Sequence, residues 1–263
     1  MKPEKISSTD YKLLQKKYPN QMEEIKSKLQ NHYPVQYLIG DVEFLNTTIK
    51  VDERVLIPRF ETELLVQKTI DQIRILRLEY PKVLELGTGS GCISIALKKN
   101  IDCEVTALDI SKPALTLARE NAILNETNIN FIEEDMLDVS YNGFDVLISN
   151  PPYVAKEEVV DEEIKYEPEE AIYAKNNGLY YYQEIIKKIS LEKPDLKLIA
   201  FEIGMNQGEE LQKLSETYLP DYFFLMEQDL TNRNRYVFLV QKRFFYDIIG
   251  TGEKKCEEQQ KKS

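Results

Sequence analysis

Lys82-Val83-Leu84-Glu85-Leu86-Gly87-Thr88-Gly89-Ser90-Gly91-Cys92 decides how this chain folds. A short apolar run meets three glycines at alternate positions, and helix-forming sequence continues from Cys92 to Lys99. A strand over Val83–Leu86 must turn sharply there, and glycines permit both the turn and the close approach of a ligand to the backbone. The start of the following helix adds N–H groups and a positive dipole end. The dinucleotide fingerprint requires Gly-x-Gly-x-x-Gly or Ala. Here its third position is Cys92, so the spacing favours a nucleoside ligand without phosphate over a pyrophosphate. A plain strand-to-helix turn is the alternative. Glu85 either favours a cationic ligand or is bound by N–H groups of the loop.

Outward from this loop the chain alternates strand and helix. Val83–Leu86, Val105–Asp109, Asn130–Glu133 and Asp145–Ser149 read as strands, with helices over Cys92–Lys99 and Pro113–Leu124 between them. A helix over Asn176–Ser190 and a strand over Leu196–Ile203 follow. Tyr222–Glu227 and Tyr236–Gln241, joined by the polar turn Asp229–Asn234, form a closing antiparallel pair. Alternating β and α units predict an α/β fold with a doubly wound, mainly parallel, seven-stranded sheet. Upstream, residues 1–34 read as two short helices. One covers Asp10–Tyr18; the other is capped by Asn20 with Glu23 three residues later, a capping box. Residues 35–58 hold a hairpin of Val42–Leu45 and Thr48–Val51 around Asn46-Thr47, and a helix runs from Glu61 to Leu78. The main domain is expected over residues 59–243. Residues 244–263 are expected to form an extension in which Phe244-Phe245-Tyr246 either adds a packed turn or mediates association, with a disordered tail from Thr251.

Composition narrows the function classes. The 263 residues carry a net charge of −11, which argues against a protein that grips bare nucleic acid through phosphates. No stretch approaches the ~18 apolar residues of a membrane span, and Met1-Lys2-Pro3-Glu4-Lys5 leads into no signal segment. Cys92, Cys103 and Cys256 are widely spaced, and His32 is the sole histidine. Such usage fits a reducing cytoplasm and argues against a zinc site or a histidine-dependent triad.

In a doubly wound sheet, ligands bind at the carboxyl ends of strands. Asp109 ends one strand and is placed to accept hydrogen bonds from ribose hydroxyls, or else to cap the next helix, a role open to Ser111 as well. Asp135 is placed either to meet an exocyclic amine or as a loop carboxylate. Leu147-Ile148-Ser149-Asn150-Pro151-Pro152-Tyr153 ends a strand in a carboxamide, two prolines and a ring. The Asn150 side-chain oxygen is an acceptor. Pro152 keeps Pro151 extended, leaving the Pro151 carbonyl free, and Tyr153 offers a ring to a flat group. Two acceptors and a stacking face match a planar NH2.

These motifs resemble the class I S-adenosylmethionine-dependent methyltransferases that act on planar nitrogens. Pro34-Val35-Gln36-Tyr37-Leu38-Ile39-Gly40, Leu56-Ile57-Pro58-Arg59-Phe60-Glu61-Thr62-Glu63, Tyr166-Glu167-Pro168-Glu169-Glu170-Ala171 and Asp229-Leu230-Thr231-Asn232-Arg233-Asn234-Arg235 narrow the likeness to the release-factor glutamine methyltransferases, from about Pro34 to Val240. The resemblance implies methylation of the glutamine amide (N5) in the Gly-Gly-Gln loop of peptide chain release factors. It implies S-adenosyl-L-methionine held by Glu85, Gly87, Thr88, Gly89, Ser90, Gly91, Asp109, Asp135, Met136 and Asn150. It implies substrate contacts from Asn150, Pro151, Pro152 and Tyr153, with Asn150, Pro151 and Tyr153 at the chemistry and no metal; Arg59 either helps shape the substrate pocket or forms a surface salt bridge at a helix start. The expected partner is a release factor, met by a cytoplasmic monomer without direct nucleic acid or membrane contact. Family members often carry an aromatic residue where this chain has Met136, and a fuller helical bundle where it has residues 1–34. The rival readings are an adenine-N6 methyltransferase on DNA or RNA and a non-catalytic cofactor-binding module.

Overall fold

The computed structural model of the chain describes residues 6–248. Helix α1 (Ser8–Lys17) starts where Ser7 accepts a hydrogen bond from the Asp10 N–H at 3.0 Å. It stops ahead of Pro19. Helix α2 (Met22–Gln30) does not use the expected capping box. Gln21 occupies the cap without a side-chain bond, and Glu23 accepts from Lys26 at 2.6 Å. A short α3 (Val35–Ile39), not foreseen from the sequence, ends at Gly40.

The hairpin is β1 (Asp41–Phe44) and β2 (Thr47–Lys50), one residue earlier than expected. Leu45 and Asn46 both take positive φ, 41° and 64°, as a tight two-residue turn between twisted strands requires. Among the described residues no third strand pairs with this hairpin. Side-chain amides of Asn121 and Asn125 instead imitate one, bonding the backbone N–H and C=O of Lys50 and Thr48.

Helix α4 (Phe60–Ile75) follows, burying Leu65, Val66, Ile70 and Ile73. The α/β succession is then β3 (Lys82–Leu86), α5 (Cys92–Asn100), β4 (Glu104–Asp109), α6 (Lys112–Leu124), β5 (Asn130–Glu133) and β6 (Val146–Ser149). After a long irregular segment come α7 (Tyr180–Glu192), β7 (Leu198–Glu202), α8 (Gly208–Tyr218), β8 (Tyr222–Gln228) and β9 (Asn234–Gln241). The sheet order is β5-β4-β3-β6-β7-β9-β8, with β9 antiparallel to both its neighbours. The doubly wound, seven-stranded sheet is therefore as expected, including the reversed last strand.

The middle strands are continuous apolar runs because helices cover both sheet faces. Every residue of β6 and β7 is buried. Two clusters result, one under α4, α5 and α6 and one under α7 and α8. Helix α7 begins four residues later than expected, because Asn176, Asn177 and Gly178 all adopt positive φ and form a turn. Helix α8 was not anticipated from the sequence. Residues 242–248 continue as a helix, packing Phe245 and Tyr246 edge-on against Phe223. The expected disordered tail from Thr251 and the third cysteine, Cys256, lie outside the described residues.

Candidate active site

Register brings the functional strand ends together. Leu86 pairs with Leu108 on one side and Ser149 on the other, and Ser149 pairs with Phe201. Gly87, Asp109, Asn150 and Glu202 therefore end up along one edge of the sheet. The strand order changes direction between β3 and β6, which is where open α/β sheets form a ligand crevice. A cleft lies there, lined by Gly87, Thr88, Gly89, Ser90, Asp109, Asp135, Met136, Asn150 and Pro152 among the residues expected from sequence.

The glycine loop is built around its own hydrogen bonds. Gly87 and Thr88 N–H groups both donate to the Leu108 carbonyl at 2.9 Å. Gly91 caps α5 at φ 83°, and a Cβ there would press on Ala118 at 3.2 Å and Ile95 at 3.3 Å. No larger residue fits both the conformation and the space.

Glu85 does not reach the cleft wall. It is fully buried behind the loop, where Oε2 accepts from the Thr88 hydroxyl at 2.8 Å and from both the N–H and hydroxyl of Ser94. Among the described residues its Oε1 has no hydrogen-bond partner, and burial pushes the carboxyl up to about 7. A protein carboxylate thus already serves the N-terminus of α5, so that end has less to offer a phosphate.

Asp109 is held by its own neighbourhood as well. Its Oδ2 accepts from the Gly89 N–H and its Oδ1 from the Ser111 N–H, both at 2.8 Å. Ser111, not Asp109, caps α6. Burial raises the Asp109 carboxyl. Asp135 accepts from the Leu137 N–H at 2.9 Å, and the backbone carbonyl of the adjacent Met136 accepts from the Tyr141 hydroxyl at 2.8 Å. Tyr181, from the first turn of α7, stands in the same wall. It supplies an aromatic face in the cleft although Met136 does not.

Asn150 donates from Nδ2 to the Thr62 hydroxyl at 3.0 Å, and Thr62 donates in turn to Glu202 Oε2 at 2.7 Å. Among the described residues nothing donates to Asn150 Oδ1, which is left for the cleft. Of the two prolines, Pro152 lines the cleft and Pro151 does not. Tyr153 is likewise absent from the wall. Its hydroxyl donates instead to Oε1 of the buried Glu202 at 3.2 Å.

Arg59 also stands outside the cleft wall, ion-paired to Glu167. Glu167, for which the sequence suggests no chemical role, has a side chain only 1% exposed and also accepts from the Ile57 N–H at 2.9 Å. It ties the segment before α4 to Pro168, Glu170 and Ala171, which cover the cleft from the other side. His32 is a half-buried partner of Glu162 at 3.1 Å and does not line the cleft.

Thr62, Glu202 and Tyr181 are the functional neighbours that sequence reasoning missed. Glu202 had a readable signal: an acid ending an otherwise apolar strand, as Asp109 does. Thr62 and Tyr181 gave none, since their places depend on how α4 and α7 pack.

The carboxylates of Asp109 and Asp135, apolar and aromatic walls from Ile110, Met136 and Tyr181, and a helix end already bonded to the Glu85 carboxyl fit an S-adenosyl nucleoside. Sheet order and cleft together define a class I S-adenosylmethionine-dependent methyltransferase. The methyltransferase small domain family matches residues 60–168. The chain is 40% identical over 238 residues to the release factor glutamine methyltransferase of Lactococcus lactis subsp. lactis (strain IL1403), covering 89% of this chain and 84% of that protein. It is 39% identical over 220 residues to the protein of the same name from Streptococcus pneumoniae (strain ATCC BAA-255 / R6), covering 82% and 78%. The chain belongs to the release factor glutamine methyltransferase family. In fold it is similar to the hMettl16 catalytic domain solved with a MAT2A 3'UTR hairpin, with a TM-score of 0.63 at 16% identity over 89% of this chain and 91% of that one.

Proposed function

We propose that this enzyme methylates the side-chain amide nitrogen of the glutamine in the Gly-Gly-Gln loop of a peptide chain release factor, in the cytoplasm. Family membership supports the substrate, and the free Asn150 Oδ1 at the cleft carries the chemistry. When bound, S-adenosylmethionine supplies an electrophilic methyl group on a sulfonium. Asp109 and Asp135 are assigned to the nucleoside, with Gly87 to Gly91, Met136 and Tyr181 around it. Glu85 is assigned to holding the loop from behind.

An amide nitrogen is a weak nucleophile because its lone pair is delocalised, as the ~18–20 kcal/mol barrier to peptide rotation reflects. The protein's task is to hold that nitrogen in place. Positioning of this kind is worth ~7–11 kcal/mol when the reacting atoms are aligned. Asn150 Oδ1 accepts one hydrogen of the substrate NH2, and the Pro151 carbonyl, on the peptide bond to the cleft-lining Pro152, is assigned the other. As the nitrogen gains positive character its hydrogens become more acidic, so these acceptors bind the transition state more tightly than the ground state, and one of the two protons leaves to water after transfer. Pro152 limits water beside them, while Tyr153 and Arg59 act from behind, one bracing the loop and the other fixing Glu167.

Mass mapping of a release-factor Gly-Gly-Gln peptide after incubation with enzyme and S-adenosylmethionine tests the assignment. One methyl on the glutamine is expected, lost in Asn150→Ala while cofactor still binds. Methyl incorporation into nucleic acid but not the peptide would refute the substrate, and an active Asn150→Ala enzyme would refute the site.

A further inference from the structure

We infer that Thr62 and Glu202 are positioning residues that fix which end of the Asn150 carboxamide faces the cleft; the consequence for catalysis rests on the function proposed above. An asparagine amide presents either an acceptor or a donor, depending on a half-turn of its terminal torsion. An NH2 substrate needs the oxygen. A flipped Asn150 would present hydrogens to hydrogens. Something must therefore hold the side chain in one of its two states.

The chain of bonds does this by donor counting. Ionised Glu202 can only accept. It is 1% exposed, with Oε2 taking the Thr62 hydroxyl hydrogen at 2.7 Å. Thr62, itself 3% exposed, has one hydrogen and has given it away, so its oxygen must accept from Asn150. Only the Nδ2 end can donate, and it does so at 3.0 Å. Oδ1 is then directed to the cleft. Glu202 is itself pinned: Oε1 accepts from Tyr153 at 3.2 Å, and its main-chain carbonyl accepts from Tyr182 at 2.6 Å. The three residues come from α4, the loop after β6 and the end of β7, elements that meet only in the finished sheet.

Protonation reverses the count. A neutral Glu202 can donate to Thr62, which frees the threonine hydrogen to turn toward Asn150 and favour the flipped amide. Burial pushes Glu202 up to about 7, opposed by the Thr62 hydrogen bond, the Arg235 charge and the Tyr153 hydroxyl, with Glu61 adding to the rise. Tyr182, Tyr236 and Cys92 are the remaining titratable neighbours and stay neutral in this range.

The test combines substrate-free and kinetic measurements on the full chain. In 15N-labelled protein without ligand, the Asn150 side-chain NH2 is expected to be slow to exchange in wild type and fast in Thr62→Val, with Thr62→Ser restoring protection. With peptide substrate, Thr62→Val and Glu202→Gln are each expected to lower kcat by about tenfold or more, as misplacement of a reacting group does, while the cofactor Kd changes little. The double variant is expected to be no slower than Thr62→Val alone, since the two act as one unit. The acid limb of the kcat profile near pH 7 is expected in wild type and absent in Glu202→Gln. Unchanged Asn150 exchange in Thr62→Val, or additive losses in the double variant, would overturn the inference. Should Thr62→Val not fold, the exchange comparison of Glu202→Gln with wild type decides in its place, unaltered protection overturning the inference. A wild-type enzyme that shows the expected exchange pattern but ignores the peptide would refute the substrate and leave the positioning intact.

Discussion

Asn121 and Lys50 form a closed hydrogen-bonded ring: the Lys50 N–H donates to Asn121 Oδ1 at 2.8 Å, and Asn121 Nδ2 donates back to the Lys50 carbonyl at 3.0 Å. The same Nδ2 reaches the Ser90 carbonyl at 2.9 Å. One fully buried amide therefore joins the N-terminal hairpin to the cofactor loop. Asn121→Leu removes all three bonds and takes a partner from the buried Ser90 carbonyl. A loss of about 2–4 kcal/mol is expected, from ~1 kcal/mol per bond plus the desolvation of orphaned groups. Urea denaturation measures it, and cofactor affinity should fall in the same variant because Ser90 loses its tether.

Glu85 gives the fold a pH dependence whose sign follows from its burial. Its folded value is pushed up to about 7, whereas an unfolded glutamate titrates near ~4.3. Between these values the folded chain keeps a proton that the unfolded chain has released. Stability from this group is therefore complete below the unfolded value and lost as pH rises through 7. Glu202 adds a second contribution of the same sign. The denaturation midpoint of wild type should drop between pH 5.5 and pH 8 by more than that of Glu85→Gln. Parallel pH profiles for the two proteins would show that Glu85 ionises normally.

The Arg59–Glu167 pair is asymmetric. Arg59 is 35% exposed and Glu167 is 1% exposed, so losing the arginine is the more damaging cut. Arg59→Met leaves a buried carboxylate with only the Ile57 N–H for company. Removal of one partner of a buried pair typically costs 3–5 kcal/mol, and the partial exposure of Arg59 lowers the expectation to about 2–4 kcal/mol. Glu167→Leu instead releases an arginine that water can reach. Thermal melts of the two variants should rank Arg59→Met as the less stable, and equal melts would mean that the pair is solvated in solution.

Local pattern sufficed for the sheet because its central strands have no exposed face and its helices keep their apolar period. Leu84, Leu147 and Ile199 announce buried strands without any knowledge of their partners. The cleft residues were legible where they sit on the strand-end loops themselves, as Asp109 and Asn150 do. What stayed hidden depends on long-range packing. Thr62 lies 88 residues from the asparagine it orients, and Glu167 lies 110 residues from the Ile57 N–H it binds. Tyr153 was read as a face for the substrate, yet its hydroxyl finds a buried acceptor supplied by β7. Helix α8 escaped because its apolar residues, Leu211 and Leu214 among them, are few in a segment dominated by charged and polar side chains.

Gly178 is the last position where a small change should have a large effect, and it is far from any glycine motif. It takes φ 81° in the turn before α7, and a Cβ there would overlap the Tyr153 carbonyl oxygen and come within 2.5 Å of the Gln207 amide nitrogen. That nitrogen holds the Tyr153 carbonyl at 2.9 Å, while Gln207 Oε1 accepts from the Gly204 N–H at 2.8 Å. The Asn150–Tyr153 loop is thus clamped at its far end by a contact only glycine permits. Backbone cannot retreat as a flexible side-chain tip can, so Gly178→Ala must shift either the turn or the loop. Left-handed strain alone costs ~1–2 kcal/mol, and the overlap adds to it. Methylation should fall by more than that loss of stability explains, since Asn150 moves with its loop. A Gly178→Ala enzyme that is destabilised but keeps full turnover would mean that the loop holds its shape without the clamp.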